Sequence, residues 1–92
     1  MRVVFSAAAE GDLESIGDYI ARDSPRRALV FLDEIRQACG LLSAHPARFP
    51  IAPHAGGRRI RRRVLGPYMI YFEIDGSETQ VGVIRILRGG EA

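Results

Sequence analysis

Thirteen of the 92 residues are arginine and none is lysine. Five of the thirteen lie within six positions, Arg58-Arg59-Ile60-Arg61-Arg62-Arg63, and Arg85 and Arg88 follow nearer the C-terminal end. Guanidinium groups at this density can grip carboxylates or phosphates through paired N–H donors. Because arginine is the only basic residue used, its identity at one position says little, whereas the clustering says more. The other reactive residue types are scattered. His45 and His54 sit in or beside a proline-rich loop, with no metal-ligand or triad spacing around them. Cys39 falls on an apolar helical stripe and reads as core. Glycine-rich phosphate loops, paired metal ligands and a nucleophile elbow are missing. The sequence therefore points to a binding surface, with no catalytic residue, no metal and no cofactor expected.

The charge is unevenly distributed. Residues 1–57 carry six arginines and seven acids, net −1, while residues 58–92 carry seven arginines and four acids, net +3. A hydrophobic fraction of 47% with 26% charged residues is ordinary for a globular chain. One domain over residues 1–92 is expected. A domain of this size buries only about 60–65% of its unfolded surface, so its stability is modest. The single cysteine excludes an internal disulfide and fits a reducing, cytoplasmic setting. The apolar run after Arg2 is too short for a signal peptide, and nothing approaches the roughly 18 apolar residues of a membrane span.

Local signals set out the elements that must position these groups. Val3-Val4-Phe5 is a short strand. Ser6 is a good N-cap, and Ala9, Leu13, Ile16 and Ile20 recur at helical spacing, giving a helix over about residues 7–22. Ser24-Pro25 starts a second helix, with Ala28, Phe31 or Leu32, Ile35, Cys39 and Leu42 on one face, and Pro46 ends it. The short link makes the two helices an antiparallel hairpin. Residues 45–57 form an irregular loop. Arg58 to Asp75 then reads as two antiparallel strands turning at Gly66-Pro67, and Thr79–Arg88 as a last strand after a turn at 75–78. The fold class is α+β: an N-terminal strand and a helical hairpin packed on a small antiparallel sheet meander.

Alternation assigns the faces of the strands. Tyr68, Ile70, Phe72 and Ile74 point to the helices. Ile84 and Ile86 join them from the last strand, and Ile60 and Val64 from the first. Arg59, Arg61, Arg63, Met69, Tyr71 and Arg85 then share the open face. Arg62 breaks the alternation, which suggests an edge position or a bulge there. A charged strand can simply be a solvated edge. Four like charges on one small face, with no acidic run nearby, instead suggest a surface completed by an acidic partner or nucleic acid.

The same residues carry a resemblance. Phe5-Ser6 with Ala9, Asp12-Leu13 through Ile16, Tyr19-Ile20, Ser24-Pro25 with Ala28 and Phe31-Leu32 come first. Leu42, Pro46, the Arg58 region, Gly66-Pro67-Tyr68, Ile70-Tyr71 and Val83 to Leu87 follow. This ordered set over about 85 residues resembles the RelE/ParE superfamily of toxins from bacterial type II toxin–antitoxin systems. RelE-like members, which cut mRNA on the ribosome, typically have an arginine after the tyrosine that opens the central strand. They also carry a basic pair beyond the last strand and often a C-terminal tyrosine or histidine. Here those places hold Met69 and Arg88-Gly89-Gly90-Glu91-Ala92. ParE-like members have an apolar residue after the tyrosine and an Ile-Leu-basic-Gly ending, and Ile86-Leu87-Arg88-Gly89 is similar. The ending departs from theirs in having Arg88 for the usual histidine and Gly90-Glu91 for the usual Arg-Asp.

The resemblance implies a non-enzymatic toxin that inhibits DNA gyrase by protein contact. It also implies a cognate antitoxin as partner in a hetero-oligomer, with nucleic acid contacted only indirectly. The partner-binding residues expected are Arg59, Arg61, Arg63, Tyr71, Arg85 and Arg88. The alternatives are a ribosome-dependent mRNA endonuclease, in which the basic face holds RNA, and a non-toxic binding module.

Overall fold

Ser6, after the first strand, and Ser24, after the turn that ends the first helix, are themselves extended and each starts a helix. In the computed structural model, which describes all residues but His54, Ala55, Glu78 and 90–92, Ser6 Oγ accepts from the Ala9 amide at 3.0 Å. Ser24 Oγ accepts from the Arg27 amide at 3.2 Å. Each hydroxyl satisfies a donor that a helix N-terminus leaves unpaired. The helices are α1 (Ala7–Ala21) and α2 (Pro25–Leu41). A short 3-10 turn, Pro46–Arg48, follows α2. At Gly17 the two helices pack tightly, since a Cβ there would lie 3.0 Å from Leu32 Cδ1.

The strands are β1 (Arg2–Phe5), β2 (Arg61–Leu65), β3 (Tyr68–Ile74) and β4 (Gln80–Arg88), in sheet order β1-β4-β3-β2. The meander β2–β3–β4 is antiparallel, as expected from the sequence. β1 joins it parallel to β4, which makes the sheet mixed. A parallel neighbour needs a long crossover, and here the crossover is the helical hairpin together with the meander.

Both helices cover one face of the sheet. Leu13 and Ile16 of α1 and Ile35, Cys39 and the following Leu42 of α2 meet Ile70, Phe72, Val81, Val83 and Ile86 in a single core. Helical periodicity had identified these helix residues, and alternation the β3 set. Two assignments from the sequence are corrected by the sheet register. Val83 is fully buried, whereas Ile84 is only partly so. The reason is a bulge in β4: Tyr71 pairs with Arg85 and Phe72 with Val83, leaving Ile84 as the extra residue. Arg62 itself lies in β2, an edge strand of the sheet, which is the edge position offered for it, and the bulge belongs to β4.

The second correction concerns β2. Leu65 pairs with Tyr68, Arg63 with Ile70 and Arg61 with Phe72. Directly paired residues share a face, so Arg61, Arg63 and Leu65 lie on the helix side. Arg62 and Val64 take the open side, where Val64 is 60% exposed. The two-residue turn imposes this inversion. Gly66, with φ +57°, supplies the left-handed conformation such a turn needs. With only Gly66 and Pro67 between the strands, Leu65 must follow its partner Tyr68 onto the core face.

Candidate partner-binding surface

The arginine cluster does not form one open basic face. Arg63 points under the sheet, and its Nη1 donates to the Ala38 carbonyl at 3.0 Å. That carbonyl lies in the last turns of α2, where the Leu42 amide bonds to Cys39 O rather than one residue further back. The Arg63 guanidinium also lies over the Phe49 ring, 5.5 Å from its centre. Arg61 Nη1 donates to the carbonyls of Phe49, at 2.7 Å, and Ala47, at 3.2 Å. These two arginines therefore hold the end of α2 and the loop after it against β2. Arg58 pairs with Glu73 at 2.6 Å. The side chains of Arg59, Arg62 and Arg88 have no hydrogen-bond or ion-pair partner among the described residues.

Arg85 is placed as expected, directly opposite Tyr71 on the open side, but its charge is already met. Its Nε and Nη2 donate to both oxygens of Asp12, at 2.8 and 2.9 Å. Asp12 also accepts from the Ile86 amide at 2.8 Å. β1 stops at Phe5, so beyond Val83 the outer edge of β4 has no strand beside it. α1 runs along that edge instead, and Asp12 caps one of its exposed N–H groups. Partial burial alone would raise the Asp12 carboxyl. The bonds from Arg85 and Ile86, with the Arg85 charge, outweigh that and hold it below the ordinary aspartate value. Asp12 was a residue that sequence reasoning missed as part of this surface. It reads there as a charge at the start of a helix, and no local signal ties it to a strand more than 70 residues away.

The end of β4, α1 and the start of α2 together bound a continuous groove. One part, about 310 Å³, lies between α1 and β4 and includes Ile16, Tyr19, Arg85 and Leu87. The other, about 520 Å³, lies between the hairpin and the Gly66-Pro67 turn. Tyr19, Tyr68 and Arg88 line both. The floor is apolar, with Phe31 and Tyr68 in tilted contact at 5.3 Å between ring centres. Arg26, Arg27 and Arg88 stand around the second part, with Asp23 and Glu34 as its acids. Tyr19 is 56% exposed. Arg26 and Arg27 were not singled out from the sequence, and Tyr19 entered there only beside the apolar stripe of the first helix and in the family resemblance.

The open face of the sheet presents Arg62, Val64, Met69, Tyr71 and Leu87, with Tyr71 Oη 3.3 Å from Met69 Sδ. Of the six residues expected from the sequence, Tyr71 and Arg85 are brought together. Arg88 lies at the groove, and Arg59 is exposed just before β2. Arg61 and Arg63 are turned away. The described residues include no cluster of three His, Cys, Asp or Glu that could hold a metal. His54 lies outside the described residues, and His45 is exposed at the start of the 3-10 turn. Cys39 is fully buried, and burial pushes its thiol up to about 11 despite the nearby charges of Arg63 and Arg36. It is a packed, protonated side chain rather than a nucleophile.

Comparison with known proteins agrees with this architecture. The family model for the ParE toxin of the type II toxin–antitoxin system, parDE, matches residues 3–92. A search of curated protein sequences finds no match. Among solved structures, the chromosomal ParDE toxin–antitoxin system from P. aeruginosa is similar with a TM-score of 0.79 at 23% identity, over 96% of this chain and 95% of that one. The toxin–antitoxin complex RelBE2 from Mycobacterium tuberculosis gives a TM-score of 0.66, also at 23% identity, over 95% of each chain. Those likenesses establish the fold, and the family model covers nearly the whole sequence: this chain belongs to the ParE toxin family of type II toxin–antitoxin systems.

Proposed function

We propose that this chain is a cytoplasmic toxin that arrests growth by binding DNA gyrase, without chemistry of its own, and that a cognate antitoxin neutralises it by occupying the groove. The observation that carries the reading is the pairing of an apolar groove with the Ile86-Leu87-Arg88-Gly89 ending of β4, in a chain matched by the ParE model. An extended or helical antitoxin segment with apolar anchors and acidic residues fits that floor and the arginines beside it. No helix among the described residues is long and apolar enough to cross a membrane.

The six residues proposed for partner contact divide by what already occupies them. Arg59, Tyr71 and Arg88, joined by Arg62, offer side chains for direct contact. Arg61, Arg63 and Arg85 act by holding the elements that display them. On this reading, replacing Arg59, Arg62 and Arg88 together by alanine leaves the melting temperature within a few degrees. It weakens binding to gyrase or antitoxin by about tenfold or more, as expected when several exposed charges leave an interface.

The test is expression of the chain without antitoxin, scoring growth, DNA damage and translation separately, beside a supercoiling assay with purified gyrase. Growth arrest with DNA damage, intact translation and inhibited supercoiling supports the reading. Loss of translation with cut mRNA would replace it with the endonuclease alternative, for which Tyr71 and Glu73 would be the first residues to probe. Absence of arrest would leave a non-toxic binding module.

A further inference from the structure

The two edges of the sheet differ in what they leave unpaired. At the β2 edge, Arg62 N–H donates to Pro50 O at 3.0 Å and Ala52 N–H to Ile60 O at 2.7 Å. The chain before the strand thus covers its first half. At the β1 edge nothing comparable is present among the described residues. Arg2 N–H donates to Thr79 O and Ser6 N–H to Val83 O, so the even-numbered residues of β1 face β4. Side alternates along a strand, which turns the N–H and C=O groups of Val3 and Phe5 outward. No strand lies on that side. Of the features that protect an edge, β1 has short length but no proline, bulge or inward-pointing charge.

We propose that β1 is a self-docking edge, through which two copies of this chain pair antiparallel about a twofold axis at Val4. The register follows from the outward groups. Val3 of each copy faces Phe5 of the other, so four backbone hydrogen bonds satisfy all eight outward N–H and C=O groups. On the helix side each pair sets an aromatic ring against a β-branched side chain, a favourable cross-strand combination. Val4 meets Val4 on the open side. Arg2 stands opposite Ser6, so no like charges are directly opposed. The two Arg2 residues are about 13 Å apart along the strands, beyond the roughly 10 Å screening length at 0.1 M salt. Above Phe5, Arg36 lies 5.6 Å from the ring centre and 3.6 Å from Glu10, so the rim carries balanced charge. The register is isologous and closes on itself, giving a dimer rather than a fibre. A four-residue strand pair buries less than the roughly 1,200 Å² of a stable complex, so the dimer is weak and reversible, with a dissociation constant in the micromolar range.

The test is sedimentation of the full chain from about 1 to 200 µM, bracketing that range. A concentration-dependent monomer–dimer equilibrium is expected. Val3→Pro removes an outward N–H and trims a side chain that packs on the rim of the core, so it should raise the dissociation constant by about tenfold or more at a modest cost in melting temperature. Val4→Lys opposes two like charges at the axis. It should weaken the dimer at low salt and recover at high salt, and mixing it with Val4→Glu should restore pairing, which a folding defect would not do. A chain that stays monomeric throughout the range would overturn the proposal. A dimer indifferent to both substitutions would do the same. So would Val3 and Phe5 amides that are protected from exchange only when a foreign segment is bound, since the edge would then belong to that partner.

Discussion

β2 and β1 are the outer strands of the same sheet, and they end it in different ways. β2 is closed by its own chain: residues 50–52 bond along its first half, and Arg61 and Arg63 reach under it to carbonyls of the loop and of α2. Two of its three arginines are spent on internal acceptors, and Arg62 is left on the open side. β1 is short and apolar, with one side committed to β4 and the other bare among the described residues. The difference teaches that a basic edge strand can turn much of its charge inward, while an apolar one can keep backbone groups turned outward. What matters is where each donor and acceptor finds its partner.

The comparison can be broken most sharply within β1 itself. Val4 directs its N–H to β4 and Val3 directs its N–H outward, so proline at the two positions should act very differently. Val4→Pro should cost about 2–3 kcal/mol by deleting an internal ladder bond and stranding its acceptor. Val3→Pro should cost less, about 1 kcal/mol, from packing lost at the rim of the core. Denaturant midpoints measured on dilute protein check this, and equal losses would mean that the sides have been misassigned.

At the other edge, Arg63→Ala should cost about 2 kcal/mol. It frees the Ala38 carbonyl and removes the cation from the Phe49 ring. For a chain of this length that lowers the melting temperature by roughly 8–16 °C. A change within a degree or two would return Arg63 to the set of free surface charges.

The smallest effect lies where α1 closes the rest of β4. The Asp12 carboxyl is held below its ordinary value in the folded state, so its contribution is present above the unfolded value of about 3.9. It is lost as pH falls through the lower folded value. Asp12→Asn should leave the Ile86 amide an acceptor yet flatten the decline in stability below about pH 4, by under about 1 kcal/mol. Asp75, where bonds from Ser77, Thr79 and Gln80 together exceed its desolvation and lower it, contributes to the slope that remains. Identical acid profiles for the wild type and the variant would remove Asp12 from this role.

Much of the fold was legible because its signals are local. Ser6 and Ser24-Pro25 mark helix starts within three or four residues, and the stripes Leu13-Ile16 and Ile35-Cys39-Leu42 need only helical periodicity. The alternation in β3 was equally readable. The face of β2 was misread although a signal for it was present. A two-residue Gly66-Pro67 turn makes Leu65 the partner of Tyr68, and that places Arg61 and Arg63 on the helix side. The β4 bulge had no such signal, since Val83, Ile84 and Ile86 are all apolar and alternation cannot show which is the extra residue. Arg85 was located correctly, but its pairing with Asp12 was not visible.

By itself, the sequence determined the helical hairpin, the antiparallel meander, the apolar core and the family resemblance, because each follows from spacing along the chain. Tertiary structure alone decided which arginines are free, that β1 lies parallel to β4, and that Asp12 completes a strand edge. Those outcomes depend on carbonyls and amides brought together from 12 to 78 residues apart. Periodicity constrains which way a side chain points, but a hydrogen-bond acceptor must be present in space before it can occupy a charge.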